Sequence, residues 1–443
     1  VNLPPIIETP AMFDARRHHR PTRRNFLHLG MLGGAGFSMA DYFRLAAADG
    51  IRQAPATSAI FVHLAGGPSH LDSFDPKPNA PVEYRGEFAT TATKVPGIEL
   101  CEHLPKLAKC THHFAVLRGV SHTQTEHAMG IKYMNTGNRP LPSLEYPGYG
   151  AVVSKELVSP PDLPPFVAIP KTPQIAGALG IEYAPLSTQS VPRAGQAFTV
   201  RGLELSRSLN LDKLQRRRQL LEDLEAGFER YEQDSGLLRG MDEFSRRAHE
   251  IIRSPKAKLA FDTSREPASI AKLFDDTPIS QGCLLATRLV EAGVRFVTVE
   301  HGGWDTHDHN FTQLKNKLLP ELDGGLSGLL AALDTKGLLA STAVFVTGEF
   351  GRTPKISTQR VGRDHYPRAM FVLLAGGGMK GGQVLGGSDS RGEAPADGRG
   401  FSPDDVAASF YYSLGIDARK EYRTPTGRPV ALVREGQLIE GLF

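Results

Sequence analysis

An α/β fold with a largely parallel central sheet flanked by helices is predicted by two observations on this 443-residue sequence. Apolar, strand-like runs alternate with helical patterns, the signature of parallel sheets joined by helices. Several of those runs are followed directly by loops rich in histidine, aspartate and glutamate, and the ends of strands are where open α/β sheets place their ligands.

The chain opens with Thr22-Arg23-Arg24-Asn25-Phe26-Leu27, then the weakly apolar, glycine-rich stretch Leu29 to Ala40 and the small residues Ala46-Ala47-Ala48. That succession is a twin-arginine signal over residues 1–48, implying export to the periplasm or beyond. Residues 49–443 then form one domain. The stretch is too short and glycine-rich to span a membrane, and the rest has no run of about 18 apolar residues.

Along the domain, the run Ala59 to Leu64 leads into Gly66-Gly67-Pro68-Ser69-His70-Leu71-Asp72-Ser73-Phe74-Asp75. Phe114 to Val120 leads into Ser121 to His127, followed by a helix-like stretch to Asn135-Thr136-Gly137. Residues 139–200 are proline-rich and read as irregular loops at a pocket mouth. A charged amphipathic region with Leu214, Leu221, Leu224, Phe228 and Tyr231 on one stripe reads as a helical insertion over about 205–260. It lies over the sheet or its site, or is an ordinary surface helix.

A helix over Gln281 to Ala292 feeds the strand Val294 to Val299, which ends in His301-Gly302-Gly303-Trp304-Asp305-Thr306-His307-Asp308-His309. Leucines from Leu314 to Leu333 recur at helical spacing, although Pro320 and Gly324-Gly325 argue for a break or kink. Thr342 to Thr347 leads into Gly348-Glu349-Phe350-Gly351-Arg352, and Gly362-Arg363-Asp364-His365-Tyr366-Pro367 precedes the run Ala369 to Leu374. Ser402-Pro403-Asp404-Asp405 caps a helix that runs to Leu414 and stops at Gly415.

The formal charge of +3 is carried by the first 48 residues, which hold six arginines against Glu8, Asp14 and Asp41. Nothing in the balance of a near-neutral mature chain suggests a nucleic-acid or polybasic membrane binder. The three cysteines, Cys101, Cys110 and Cys283, form no CxxC motif, which leaves only a weakly supported Cys101–Cys110 disulfide.

If the strands share one parallel sheet, these loops converge on one edge. Asp305 and His307, two residues apart on a glycine-preceded turn, can face one divalent ion, with His309 within reach. A hydrogen-bonded Asp-His pair that orders the loop is the competing explanation. His365 is a further ligand, with Asp364 orienting its other nitrogen. Glu349 and Arg352 supply a carboxylate ligand and an oxyanion clamp, or an internal salt bridge. His70 and Asp72 add pocket ligands, although Asp72 and Asp75 also suit a turn before Pro76. The loop after Val120 contributes His122, and its hydroxyls are nucleophile candidates if a metal activates them. No G-x-S-x-G elbow or phosphate-binding G-x-x-x-x-G-K-[ST] is found.

Gly66 to Pro78, His127-Ala128-Met129-Gly130, Gly303 to His307, Gly348 to Pro354 and Asp364-His365 together resemble the exported bacterial family of domain of unknown function 1501. That family is similar to the alkaline phosphatase and sulfatase superfamily, which implies an alkaline phosphatase-like core holding one or two divalent metals at its strand ends. Carried over, Asp305 with His307 or His309 resembles the Asp-plus-His ligand loop, and His365 the late histidine. Glu349-Phe350 stands where an Asp-His pair is usual and Gly66-Gly67 where the first-strand aspartate is usual, which implies one metal rather than two. Zinc, calcium and manganese are not distinguished. No Cys-x-Pro-x-Arg is present; one alignment puts His127 at the nucleophile position, another Thr125.

The resulting expectation is an exported metal-dependent hydrolase of phosphate or sulfate esters, acting on small-molecule or saccharide esters. The metal would activate Thr125 or a water, and Arg352 or Arg363 would compensate developing charge. The alternative is a non-catalytic exported glycan- or protein-binding module with a degenerate metal site. A third reading is a cell-surface protein that works with exported partner proteins.

Overall fold

The computed structural model describes residues 55–200, 250–251, 253–424 and 427–443, which belong to one compact unit, Ala54–Phe443. The twin-arginine segment and the amphipathic stripe from Leu214 to Tyr231 lie outside the described residues. Of the expected insertion, the described part includes a short helix, Pro255–Phe261, capped by the Ser254 hydroxyl.

Eight strands form the central sheet: β1 (Ser58–Ala65), β2 (Phe114–Val120), β3 (Phe166–Ile169), β4 (Leu186–Ser187), β5 (Phe296–Gly302), β6 (Thr342–Thr347), β7 (Met370–Ala375) and β8 (Gln383–Gly386). Their order is β8-β2-β7-β6-β1-β5-β3-β4. Every pairing is parallel except those of β7, which runs antiparallel to both β2 and β6.

The central strands are largely apolar because both faces are covered. Ile60, Val62 and Leu64 of β1 face one helical layer, while Ala59 and Phe61 face the other. The first layer contains α3 (Pro278–Ala292) and α4 (Leu319–Thr335); the second contains α2 (Tyr149–Glu156) and α5 (Pro403–Ser413). The expected cap of α5 is a capping box: the Ser402 hydroxyl accepts from the Asp405 amide at 3.1 Å, and the Asp405 carboxylate accepts from the Ser402 amide at 2.9 Å. No helix among the described residues is long and apolar enough to cross a membrane.

Four expectations are corrected. The strand expected over Val294 to Val299 runs on to Gly302, so His301 belongs to β5 and its Nε2 lies 3.0 Å from Glu321 Oε2. Residues 139–200 are not wholly irregular: they contain α2 and the fully buried β3, whose four residues, bracketed by Pro165 and Pro170, are too few to show periodicity. No break occurs at Pro320 or Gly324-Gly325, since α4 is continuous. Pro320 sits in the first turn, where its missing N–H is not needed, and the irregularity precedes it as a π-turn over Leu314–Leu318. Finally, Cys101 and Cys110 are free, like Cys283.

The direction of β7 places the site. In a wholly parallel sheet, Asp364-His365 before β7 would lie at the opposite edge from the loops after β1, β2, β5 and β6. Because β7 is reversed, its start lies beside their ends.

Candidate metal centre

Gly66 is where the loops after β1 and β5 touch. Its backbone has φ +117°, and a Cβ there would lie 2.4 Å from the Asp305 amide nitrogen. Gly66 therefore admits the Asp305 loop, and Gly67, at φ +78°, admits the Phe350 ring. The Gly66 amide also donates to both oxygens of Glu349, at 3.0 and 3.1 Å.

Glu349 is buried. Its Oε1 accepts from His127 Nδ1 at 2.6 Å. Its main chain is held by His122, whose Nδ1 accepts from the Gln124 amide at 3.1 Å and whose Nε2–H therefore donates to the Glu349 carbonyl at 2.7 Å. Burial pushes the His122 imidazole down to about 4, against the pull of Glu349.

His127 opens the helix α1 (His127–Thr136). With Nδ1 on Glu349, its Nε2 faces Asp305 Oδ2 at 3.3 Å. Two further imidazoles have the same arrangement. His307 gives Nδ1–H to Asp364 Oδ1 at 2.7 Å and turns Nε2 toward Asp305 Oδ1 at 3.0 Å. His365 gives Nδ1–H to the Thr125 carbonyl at 2.8 Å and turns Nε2 toward the same Asp305 oxygen at 3.2 Å. His365 is placed by a two-stranded antiparallel ribbon in which it pairs with Arg352.

Arg352 fixes the Asp305 carboxylate, with Nη2 at 2.6 Å from Oδ1. Fully buried, it also donates to the carbonyls of Gly66, Gly67, Trp304 and Arg363. Burial works to raise the Asp305 carboxyl, but Arg352, His365 and His307 hold it at about 2. Burial, reinforced by Arg352 and His127, holds His365 below its usual 6.5 despite its bonds to Thr125 and Asp305.

This donor arithmetic fits a cation. With their Nδ1–H groups committed to oxygens, the three rings in their neutral form would present three Nε2 lone pairs to a carboxylate, an excess of acceptors that a bound metal relieves. His127, Asp305 and His365 each offer a ligand atom, all within 4.8 Å of one another. The site is open, with His127 and Asp305 side chains 36% and 46% exposed, as a catalytic ion requires.

Other expected residues stand outside this cluster. His309 is exposed, at φ +49° before the following helix. Asp72 and Arg363 form a wholly buried two-pronged ion pair at 2.7 and 2.9 Å. Asn310 adds a hydrogen bond to Asp72, so this pair ties the Gly66 loop to the segment before His365. His70 is buried, with Nε2 on the Gly392 carbonyl at 2.9 Å. Thr125 is exposed and meets His365 through its carbonyl, not its hydroxyl. Sequence reasoning missed that carbonyl, which no side-chain pattern could reveal, and Arg360, whose Nη2 reaches Asp364 across one helical-type spacing.

Residues 56–443 match the family described as protein of unknown function (DUF1501). No curated protein matches the sequence. Among solved structures, a sulfatase from Pseudoalteromonas sp. is similar at 13% identity and a TM-score of 0.36, covering 84% of this chain and 70% of its own. The lipoteichoic acid synthase LtaP from Listeria monocytogenes is similar at 10% identity and a TM-score of 0.32, covering 83% and 74%.

Proposed function

Since the chain belongs to the DUF1501 family, whose activity its description leaves open, we propose from the site itself that the protein is a metal-dependent hydrolase of phosphate or sulfate esters, using one divalent ion. The observation that carries this reading is the convergence of three Nδ1-anchored imidazoles on Asp305 at an open sheet edge. His127, His307, His365 and Asp305 would hold the ion. A donor set of three imidazole nitrogens and a carboxylate suits zinc, iron or manganese, whereas calcium takes oxygen ligands. Such an ion supplies Lewis acidity toward an ester oxygen and an attacking water.

The chain's own residues do the rest. Glu349, Asp364 and the Thr125 carbonyl fix the three rings, and Arg352 fixes the carboxylate. Arg352 and Arg363 are themselves buried and spent on their partners, so Arg360, partly exposed and bound to Asp364 through one nitrogen, is the better group to meet an anionic ester. Saccharide or small-molecule esters fit an open site. Export through Arg23-Arg24 is proposed from the sequence alone.

The second reading, a binding module with a metal but no catalysis, is favoured by the Thr125 hydroxyl having no contact with the cluster among the described residues. Protein carrying one equivalent of zinc or manganese, assayed on aryl phosphate and aryl sulfate, separates the two: turnover lost on chelation supports the hydrolase, and metal without turnover supports the module.

A further inference from the structure

A single histidine interrupts the apolar strand β1. His63 is 2% exposed, stacks on Phe61 with ring centroids 5.9 Å apart, and has no hydrogen-bond partner for either ring nitrogen. Its Nε2 lies 3.9 Å from Glu349 Oε2, the carboxylate oxygen that faces away from His127. Direct hydrogen bonding needs an approach of roughly 1 Å, and a buried N–H without an acceptor is driven toward one. Burial keeps the ring neutral at neutral pH, so it has one N–H to give.

Glu349 is itself buried and carries a charge that must be matched. From the main chain it receives the Gly66 amide, and from the site side His127. The protein interior beneath it offers His63. Resting on the metal reading above, we infer that His63 is a positioning residue: its Nε2–H holds Glu349 from below, Glu349 holds His127 Nδ1, and His127 Nε2 is thereby aimed at the metal position. His63 touches neither metal nor substrate. It acts through two residues, one step further out than Glu349, which orients the imidazole directly.

The test is metal affinity, read by titrating metal-free protein with zinc(II) against a competing chelator and by the visible spectrum with cobalt(II). His63→Phe, which keeps the stacking but has no N–H, should weaken zinc binding by roughly 10–100-fold and shift the cobalt spectrum, with the thermal midpoint of the metal-free protein retained. His63→Gln, whose amide can donate, should restore affinity. Equal affinity in wild type and His63→Phe overturns the inference while leaving the metal reading intact. A wild type that takes up neither zinc nor cobalt overturns the metal reading and the inference with it. Should His63→Phe fail to fold, nitrogen-15 spectra of the wild-type histidine rings decide: a neutral His63 with its hydrogen on Nε2 supports the role, and a hydrogen on Nδ1 overturns it.

Discussion

His307 and His365 present their Nε2 atoms to each other at 3.0 Å, although each ring already commits its Nδ1–H to an oxygen, on Asp364 and on Thr125 respectively. Two lone pairs at that distance repel unless a proton or a cation lies between them. We therefore expect the purified protein to hold one equivalent of a transition metal by elemental analysis. His365→Ala and Asp305→Asn should each abolish tight binding. Neither side chain belongs to the apolar packing of the central sheet, so the midpoint of denaturant unfolding of the metal-free variants should stay close to wild type. Two equivalents per chain would contradict the single cluster.

Asp72→Ala should do the reverse. The Asp72–Arg363 pair has no exposed side-chain surface, and removing one partner leaves the other buried and charged, which costs about 3–5 kcal/mol. Unfolding in urea should reveal a loss of that size, with metal stoichiometry preserved in whatever fraction remains folded. A small stability change with loss of metal would mean that Asp72 acts as a ligand after all.

How much of this was legible in the sequence depends on the range of the signal. The runs Phe114 to Val120 and Thr342 to Thr347 coincide with β2 and β6, because strands covered on both faces are continuously apolar. Asp305, His307 and His365 were legible as a group because they flank such runs. The reversal of β7 was not, since antiparallel pairing leaves no mark on a fully buried strand; Asp364-His365 reached the right edge for a reason the sequence does not state. Nor was the division of labour legible. Asp72 and Arg363 are 291 residues apart, and only their burial separates an ion pair from a ligand pair. Glu349, expected as a ligand, and His127, expected at the nucleophile position, likewise meet through a contact spanning 222 residues.

Thr125→Ala addresses the nucleophile. Thr125 orients His365 by its carbonyl, which alanine keeps, so metal affinity should be unchanged. If the attacking group is water, turnover of aryl phosphate or sulfate should persist at a substantial fraction of wild type. Near-complete loss of turnover with metal retained would identify the hydroxyl as the nucleophile instead.

Arg23 and Arg24 precede an unusually mild apolar stretch, which general secretion would recognise poorly. Replacing both with lysine should leave the precursor in the cytoplasm on fractionation. Undiminished export of the double variant would reduce the pair to an ordinary basic arm.

Acid stability follows from the buried histidines. Burial holds His63, His70 and His122 below the usual 6.5, with His122 at about 4. Between those values the unfolded chain binds protons that the native state refuses, so stability is complete above about pH 6.5 and falls as pH drops toward 4. The carboxylates act in a lower window: burial works to raise Asp75 and Asp305, but their basic neighbours win, so both sit below 3.8 and their contribution is lost only beneath that value. For metal-free protein unfolded in denaturant, the His122 share of the drop from pH 6.5 to 4 is at most about 3 kcal/mol. His122→Gln keeps a donor toward the Glu349 carbonyl but cannot titrate, so its stability should fall less steeply over that window. A slope identical to wild type would show that His122 titrates normally in the folded protein.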